Sequence, residues 1–283
     1  MNNIGYKLKN MKLKNNNPLL ITGASGFLGG HLLKVATDFG LDTIGTKSGS
    51  SLGRNDGLVE LDITCKDNVF KTIKKIRPSV IIHCAAISDM AICEMNGELA
   101  YSVNELGTKN LCEAAVAMGM HLVYISTDLV FDGIKGDYVE SDTPCPTSAY
   151  GKSKLAGEVA VLNASKNFTV ARLSWCYGRS INKAKNYLDK FIEAISDGKE
   201  QNLFYDEFRS PIKVEDACNK LLELVNNRSN GIFHLAGDKK MSRLDFGLWA
   251  ADEFELDKSL IKRASRKKLA PHRPRDTSLA STR

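Results

Sequence analysis

A tyrosine and a lysine stand four residues apart in YGKSKLAGE, at Tyr150 and Lys154, ahead of an apolar helical pattern. Residues i and i+4 share one face of a helix, so the phenol and the ammonium can converge. A phenol is a proton donor with an ordinary pKa of about 10. A nearby ammonium stabilises phenolate, which predicts a lowered value for Tyr150. The spacing is common by chance, and taken alone it reads as surface decoration. It gains force from HLVYISTD, whose apolar run ends on Ser126, Thr127 and Asp128. Polar groups at the carboxyl end of a parallel strand face the ligand crevice. A ketone receiving hydride at carbon needs a proton at oxygen. Thr127 could hold that oxygen, Tyr150 supply the proton, and Lys154 tune the phenol while bonding a cofactor ribose.

The cofactor is suggested by TGASGFLG, where Gly23, Ser25, Gly26, Phe27, Leu28 and Gly29 make a glycine-rich turn. The turn follows the apolar run PLLIT and opens an amphipathic helix, the context in which backbone N–H groups cradle a pyrophosphate. At the end of the next strand an NAD site usually carries an acid. Here the chain has Thr46, Lys47 and Ser48, with Ser50, Ser51 and Arg54 close behind. Lysine and hydroxyls suit a 2′-phosphate, so NADP(H) is favoured over NAD(H). The competing reading is a solvated Lys47 and an enzyme that accepts both. Asp62 and Ile63, after the following strand, could flank the adenine. His83 makes no zinc spacing with Cys84 and Cys93, so it reads as a satisfied sheet-end histidine and no metal site is expected.

These residues need a frame. The runs PLLIT, LDTIGT, LVELDIT, SVIIHCAA, HLVYISTD and FTVARLSW are separated by helical patterns or polar loops. That alternation predicts an α/β fold, a Rossmann-type doubly wound parallel sheet. Beyond about residue 172 the alternation weakens. YLDKFIEAISDG and KVEDACNKLLELVNN look helical, GIFHLAG looks like a strand, and MSRLDFGLWAADEF starts with a capping-box pair, Ser242 and Asp245. The expected organisation is a polar flexible extension over 1–17 and a dinucleotide-binding domain over 18–171. A smaller substrate-binding lobe follows over 172–283, with segments of about 203–235 returning to the main sheet.

Composition narrows the function class. The 283 residues are 43% hydrophobic and 25% charged, as expected of a globular chain. No apolar run approaches the roughly 18 residues of a membrane helix, and the lysine-bearing N-terminus lacks the apolar core of a secretory signal. Seven cysteines without a CxxC pair point to reduced thiols and a cytoplasmic setting. From Lys262 to Arg283 eight Lys or Arg residues face one acid, Asp276. Without interleaved aromatics this does not read as a nucleic-acid surface. It reads as a solvated basic face, or as a site for an anionic small molecule.

TGASGFLG, STDLVFDG, YGKSKLAGE, RLSWCYG and RPRDTSL occur in the order seen in dTDP-4-dehydrorhamnose reductases, which the chain resembles from Pro18 onward. These belong to the extended short-chain dehydrogenase/reductase superfamily. The resemblance implies an NAD(P)H-dependent oxidoreductase that reduces the 4-keto group of a dTDP-6-deoxy sugar to give dTDP-L-rhamnose. The partner it implies is a nucleotide-sugar substrate, and it admits a homodimer. By position, it assigns Thr127, Tyr150 and Lys154 as catalytic and places Asp128 and Trp175 against the sugar. A core-packed indole is the competing reading for Trp175. Ala85, Ala86 and Ile87 match the loop along the cofactor. Asn104 matches an asparagine-bearing helix of the superfamily, where a packing or capping role competes. Arg273 and Arg275, in the C-terminal motif, are expected to hold the sugar-nucleotide diphosphate. Leu129 replaces a family tyrosine and Ala280 a common aspartate, which bears on the sugar and its nucleotide more than on the chemistry. Two alternatives remain at this point. One is a sugar-nucleotide epimerase or dehydratase of the same superfamily. The other is a non-catalytic subunit, since the regulatory β subunit of methionine adenosyltransferase resembles this same group.

Overall fold

The computed structural model describes residues 17–49, 57–182 and 184–282. Residues 1–16, together with Ser50, Ser51 and Arg54, lie outside the described residues. Seven strands form the main sheet: β1 (Leu19–Thr22), β2 (Thr43–Lys47), β3 (Val59–Glu60), β4 (Val80–His83), β5 (His121–Thr127), β6 (Thr169–Leu173) and β11 (Gly231–Leu235). Their spatial order is β11-β6-β5-β4-β1-β2-β3, and every neighbouring pair is parallel. The order reverses between β1 and β4. In an open parallel sheet that is where the strand ends leave a crevice for a ligand.

Side chains alternate across the sheet as the period of two requires. Leu19, Ile21, Ile82 and Ala171 pack with Leu32 and Ala36 of α1 (Phe27–Asp38) and with Cys218 and Leu221 of α8 (Val214–Asn226). On the other face Leu20, Ile81, Leu122 and Val170 meet α2 (Lys66–Ile76), α5 (Gly107–Ala117) and α6 (Ala149–Ala164). Both faces are covered, which is why the strands are apolar almost throughout.

Between β4 and β5 the chain runs through α3 (Met90–Met95), α4 (Gly97–Tyr101), a π-helical turn at Ser102–Leu106, and α5. Over YSVNELGTKNLCEAAVAMG, residues 101–119, the spacing reads as one helix. The π turn inserts an extra residue per turn, which periodicity alone does not reveal, and Asn104 sits within it. Such turns recur near functional sites.

After β6 the pattern changes. β7 (Cys176–Tyr177) pairs with β10 (Ile212–Lys213), β8 (Gln201–Phe204) with β13 (Ile261–Ala264), and β9 (Phe208–Arg209) with β12 (Met241–Ser242). A separate apolar cluster joins Leu188 and Phe191 of α7 (Tyr187–Ser196), Leu203, and Phe246 and Ala250 of α9 (Arg243–Glu253). Within the stretch 203–235, α8 and β11 lie against the main sheet, whereas Leu203 belongs to this outer cluster. The Ser242–Asp245 capping box is formed, and a second one, Asn186–Asp189, starts α7. All seven cysteines are free thiols. Among the described residues no helix is long and apolar enough to cross a membrane.

Helix α6 approaches β5 very closely. A Cβ on Gly157 would stand 2.2 Å from the Tyr124 hydroxyl and 2.6 Å from the Asn104 carbonyl oxygen. Alanine ordinarily stabilises a helix interior by about 1 kcal/mol relative to glycine. Overpacking in a core costs about 1–3 kcal/mol, and here the obstacles include backbone and a fully buried ring. Gly157→Ala is therefore expected to destabilise the fold by about 1 kcal/mol or more, read as a lowered midpoint in denaturant melts. A raised midpoint would mean that α6 has room to move.

Candidate active site

A cleft of about 650 Å³ runs over the carboxyl ends of the strands. At one end lies the turn between β1 and α1. Gly23 has φ +67°, and a Cβ there would stand 2.7 Å from the Ala85 backbone, so only glycine lets this turn close against the neighbouring loop. Gly29 sits equally tight, its virtual Cβ 2.3 Å from the Gly23 carbonyl oxygen. Helix α1 begins at Gly26 with no side-chain cap and no acid in its first turn. A helix start left uncapped and free of negative charge, lining a cleft, fits an anionic phosphate group. Ser25, Phe27 and Leu28 line the same end.

Thr46, Lys47 and Ser48, at and just beyond the end of β2, line the next stretch. Thr46 and Lys47 are buried, and their carbonyls accept from Ala24 and Leu61 (2.8 Å each). Asp62 and Ile63 also line the cleft. The Asp62 carboxylate accepts from the Thr64 amide (2.9 Å) and hydroxyl (2.7 Å), a local turn. Ile63 is buried against Gly107.

The loop Ala85, Ala86 and Ile87 forms the middle of the wall. Asn104, fully buried, clamps it: its side-chain oxygen accepts from the Ile87 amide (2.9 Å), and its nitrogen donates to the Ile87 carbonyl (3.0 Å) and to Ser153 Oγ (2.9 Å). One side chain thus ties this loop to α6. A second chain of bonds supports it. The Ala85 amide donates to Thr22 Oγ1, Thr22 Oγ1 meets His83 Nδ1 (2.7 Å), and His83 Nε2 meets Thr108 Oγ1 (3.1 Å). Thr108 spends its proton on the Asn104 carbonyl (2.7 Å), so Nε2 must donate and Nδ1 accept. Burial, helped by Lys154, holds His83 down to about 3. It is a neutral, satisfied histidine.

Thr127, Tyr150 and Lys154 meet in the same cleft. Removal from water pushes the Tyr150 phenol above its ordinary value, opposed by a hydrogen bond with Thr127 and reinforced by Asp128. This is the opposite of the direction expected from the tyrosine–lysine spacing. The reason is burial, which desolvates the phenol and the lysine alike. Lys154 is buried, its Nζ 4.0 Å from the centre of the Tyr124 ring. Burial lowers it to about 7, against Glu158 and Cys84, which raise it. Near neutrality it is only partly charged, and desolvation of the phenol wins.

The far end is built from guanidinium and aromatic groups. Asp128 is buried, accepting from Arg209 (2.7 Å) and from Ser174 Oγ (3.1 Å). Trp175 lines the cleft and also packs on Phe246, ring centres 4.3 Å apart, with the Arg243 guanidinium 4.6 Å from its ring. Both competing readings of this indole thus describe part of its surroundings. Arg243 and Arg273 each bind Glu207, with nitrogen–oxygen distances of 2.7–2.8 Å. Burial opposes ionisation of Glu207, but Arg273, Arg243 and Arg209 outweigh it and hold the carboxyl at about 2. Arg209 and Arg243 line the cleft; Arg273 and Arg275 do not, and Arg275 is exposed. Sequence reasoning missed Arg209, which lies in a two-residue strand with no spacing to single it out. It also missed Arg243, which reads there as an ordinary residue of a helical first turn.

Residues 17–283 match the family model for the RmlD substrate binding domain. The chain is 34% identical over 249 residues to dTDP-4-dehydrorhamnose reductase of Aggregatibacter actinomycetemcomitans, covering 86% of this chain and 81% of that protein. It is 32% identical over 249 residues to methionine adenosyltransferase 2 subunit beta of Xenopus laevis, covering 86% and 74%. The crystal structure of dTDP-4-dehydrorhamnose reductase from Bacillus anthracis in complex with NADP superposes with a TM-score of 0.83 at 29% identity, covering 93% of this chain and 90% of that one. The chain belongs to the dTDP-4-dehydrorhamnose reductase family of NAD(P)H-dependent oxidoreductases.

Lys154 also carries a consequence for stability. Its pKa falls from 10.5 to about 7 on folding. Between those values the unfolded chain holds a proton that the folded chain releases, so this group makes stability rise with pH across that window. Below pH 7 the charge is buried at full cost. Lys154→Met is expected to be most stabilised over the wild type below pH 7, with the gap narrowing toward pH 10. Denaturant melts of both proteins across that range check it, and a gap independent of pH would contradict it.

Proposed function

We propose that this chain binds NADP(H) and reduces the 4-keto group of a nucleotide-activated 6-deoxy sugar, dTDP-4-dehydrorhamnose being the first candidate. The observation that carries the reading is the meeting of Thr127, Tyr150 and Lys154 in the cleft that also holds the Gly23–Gly29 turn. When bound, the nicotinamide supplies the two reducing electrons as hydride. Thr127 and Tyr150 take the sugar carbonyl oxygen between their hydroxyls. Tyr150 delivers the proton, and the burial that raises its pKa keeps it protonated and able to do so through the working pH range. Lys154 bonds the cofactor ribose and, in its charged form, stabilises the phenolate left behind when the proton leaves. Arg209 and Arg243 hold the nucleotide end of the substrate, in place of the expected Arg273 and Arg275, while Asp128 orients Arg209. Arg273 supports them through Glu207.

NADP(H) is preferred because the end of β2 presents Thr46, Lys47 and Ser48 rather than a carboxylate. A second reading, a binding subunit without turnover, is favoured by the similarity to methionine adenosyltransferase 2 subunit beta. The deciding experiment follows NADPH oxidation against dTDP-, GDP- and UDP-linked 4-keto-6-deoxy sugars. Tyr150→Phe should keep cofactor affinity and lose turnover by about 100-fold or more. Wild-type rates in Tyr150→Phe would refute the proton-donor role. No oxidation with any sugar, together with co-purification of a synthetase, would favour the binding subunit. Lys47→Ala should raise the KM for NADPH more than that for NADH. Equal changes would remove the case for a 2′-phosphate contact.

A further inference from the structure

Helix α6 carries a third ionisable side chain in line with Tyr150 and Lys154. Glu158 lies one turn beyond Lys154 on the same face and is 1% exposed. Its ion pair is with Arg172, whose Nε (3.0 Å) and Nη2 (2.8 Å) both donate to it, and it accepts from Ser126 Oγ as well (2.5 Å). Ser126 immediately precedes Thr127 on β5. Arg172 is 2% exposed and is itself backed by His234, whose Nε2 lies 3.5 Å from Nη1. His234 Nδ1 faces two carbonyl oxygens, of Tyr138 (3.0 Å) and Ala280 (2.8 Å). Nδ1 must therefore donate, leaving Nε2 to accept from Arg172. The Glu158 carboxylate is thus fixed by two residues, Arg172, which lies outside the lining of the cleft, and Ser126, which lines it beside Thr127.

We propose that Glu158 is a positioning residue whose buried carboxylate keeps Lys154 charged, with Arg172 and Ser126 holding that carboxylate in place. This rests on the reading of Lys154 given above. The groups that act on Lys154 include Glu158 from its own helix, His83 and Cys84 from β4 and the residue after it, and Tyr124 from β5. His83 is held neutral, and burial raises the Cys84 thiol to about 12 and the Tyr124 phenol well above its usual range. Of the groups facing the ammonium, Glu158 supplies the formal negative charge near neutral pH. It acts through space rather than by contact, because its oxygens are taken by Arg172 and Ser126. A carboxylate touching Lys154 would compete with a cofactor ribose for the ammonium. One set back by a helical turn raises the charge without occupying the bond.

The test reads Lys154 directly. Protein labelled with 13C at the lysine ε-carbon, free of cofactor, is titrated by NMR, the Lys154 signal being the one absent from Lys154→Met. The wild-type midpoint is expected near 7. Glu158→Gln should move it acidward by about one pH unit or more, and the limb of the kcat/KM–pH profile that follows Lys154 should move with it. Glu158→Asp, which keeps the charge, should stay near the wild type. Glu158→Gln/Arg172→Gln leaves no orphaned charge, so it carries the test should the single variant fail to fold. Its midpoint should fall between those of Glu158→Gln and the wild type. A purely structural role would lower kcat without moving either midpoint. An unmoved Lys154 midpoint in both Gln variants overturns the proposal. If Lys154→Met itself keeps wild-type turnover, the site reading fails instead.

Discussion

The close seating of α6 on β5 is the constraint from which the rest of the cleft follows. Gly151 and Gly157 face backbone and ring atoms that would admit no Cβ without displacement, and Ser153 is fully buried between them. This spacing brings Tyr150, Lys154 and Glu158 over the carboxyl end of the strand at Ser126 and Thr127. It also buries the lysine deeply enough to strip it of water. A helix one side chain further out would leave both the phenol and the ammonium solvated, with ordinary pKa values. Close packing here acts on acid–base character, and stability bears the cost.

That cost is distributed. An ion buried without a partner is expensive, and breaking a buried pair costs about 3–5 kcal/mol. Beside its partly charged lysine the molecule keeps two fully paired sites, one acting on Lys154 and the other on Tyr150. Glu158–Arg172 lies below it, and Asp128–Arg209 beside the strand end. Each carboxylate takes a further hydroxyl, Ser126 in one case and Ser174 in the other. Glu158 cannot turn to Lys154 without orphaning Arg172, so the ammonium stays available in the cleft.

What was legible in the sequence was local. The glycine turn, the helix with Tyr150 and Lys154, the strand-end polar residues and the Ser242 capping box each depend on spacings within a few residues. The alternating apolar runs carried the parallel sheet for the same reason. What escaped was long-range. Arg209 reaches Asp128 across 81 positions, and Asn104 reaches Ser153 across 49. Arg273 belonged to a recognisable motif, yet Glu207, 66 residues away, claims its guanidinium. The direction of the Tyr150 shift was misread because spacing reports who is near, whereas desolvation depends on everything that excludes water.

The two ends of the cleft offer an anion different kinds of donor. At the glycine turn the donors are backbone groups of a helix start, carrying partial charge and needing no counter-ion in the free protein. At the far end they are guanidinium groups already neutralised by Asp128 and Glu207. A phosphate arriving at the first end meets donors poised for it. One arriving at the second must share Arg209 and Arg243 with resident carboxylates, so its gain is the difference between two good partners. Binding at this second end should therefore depend on shape and on contacts with Trp175 and Tyr187, which line it, more than on charge.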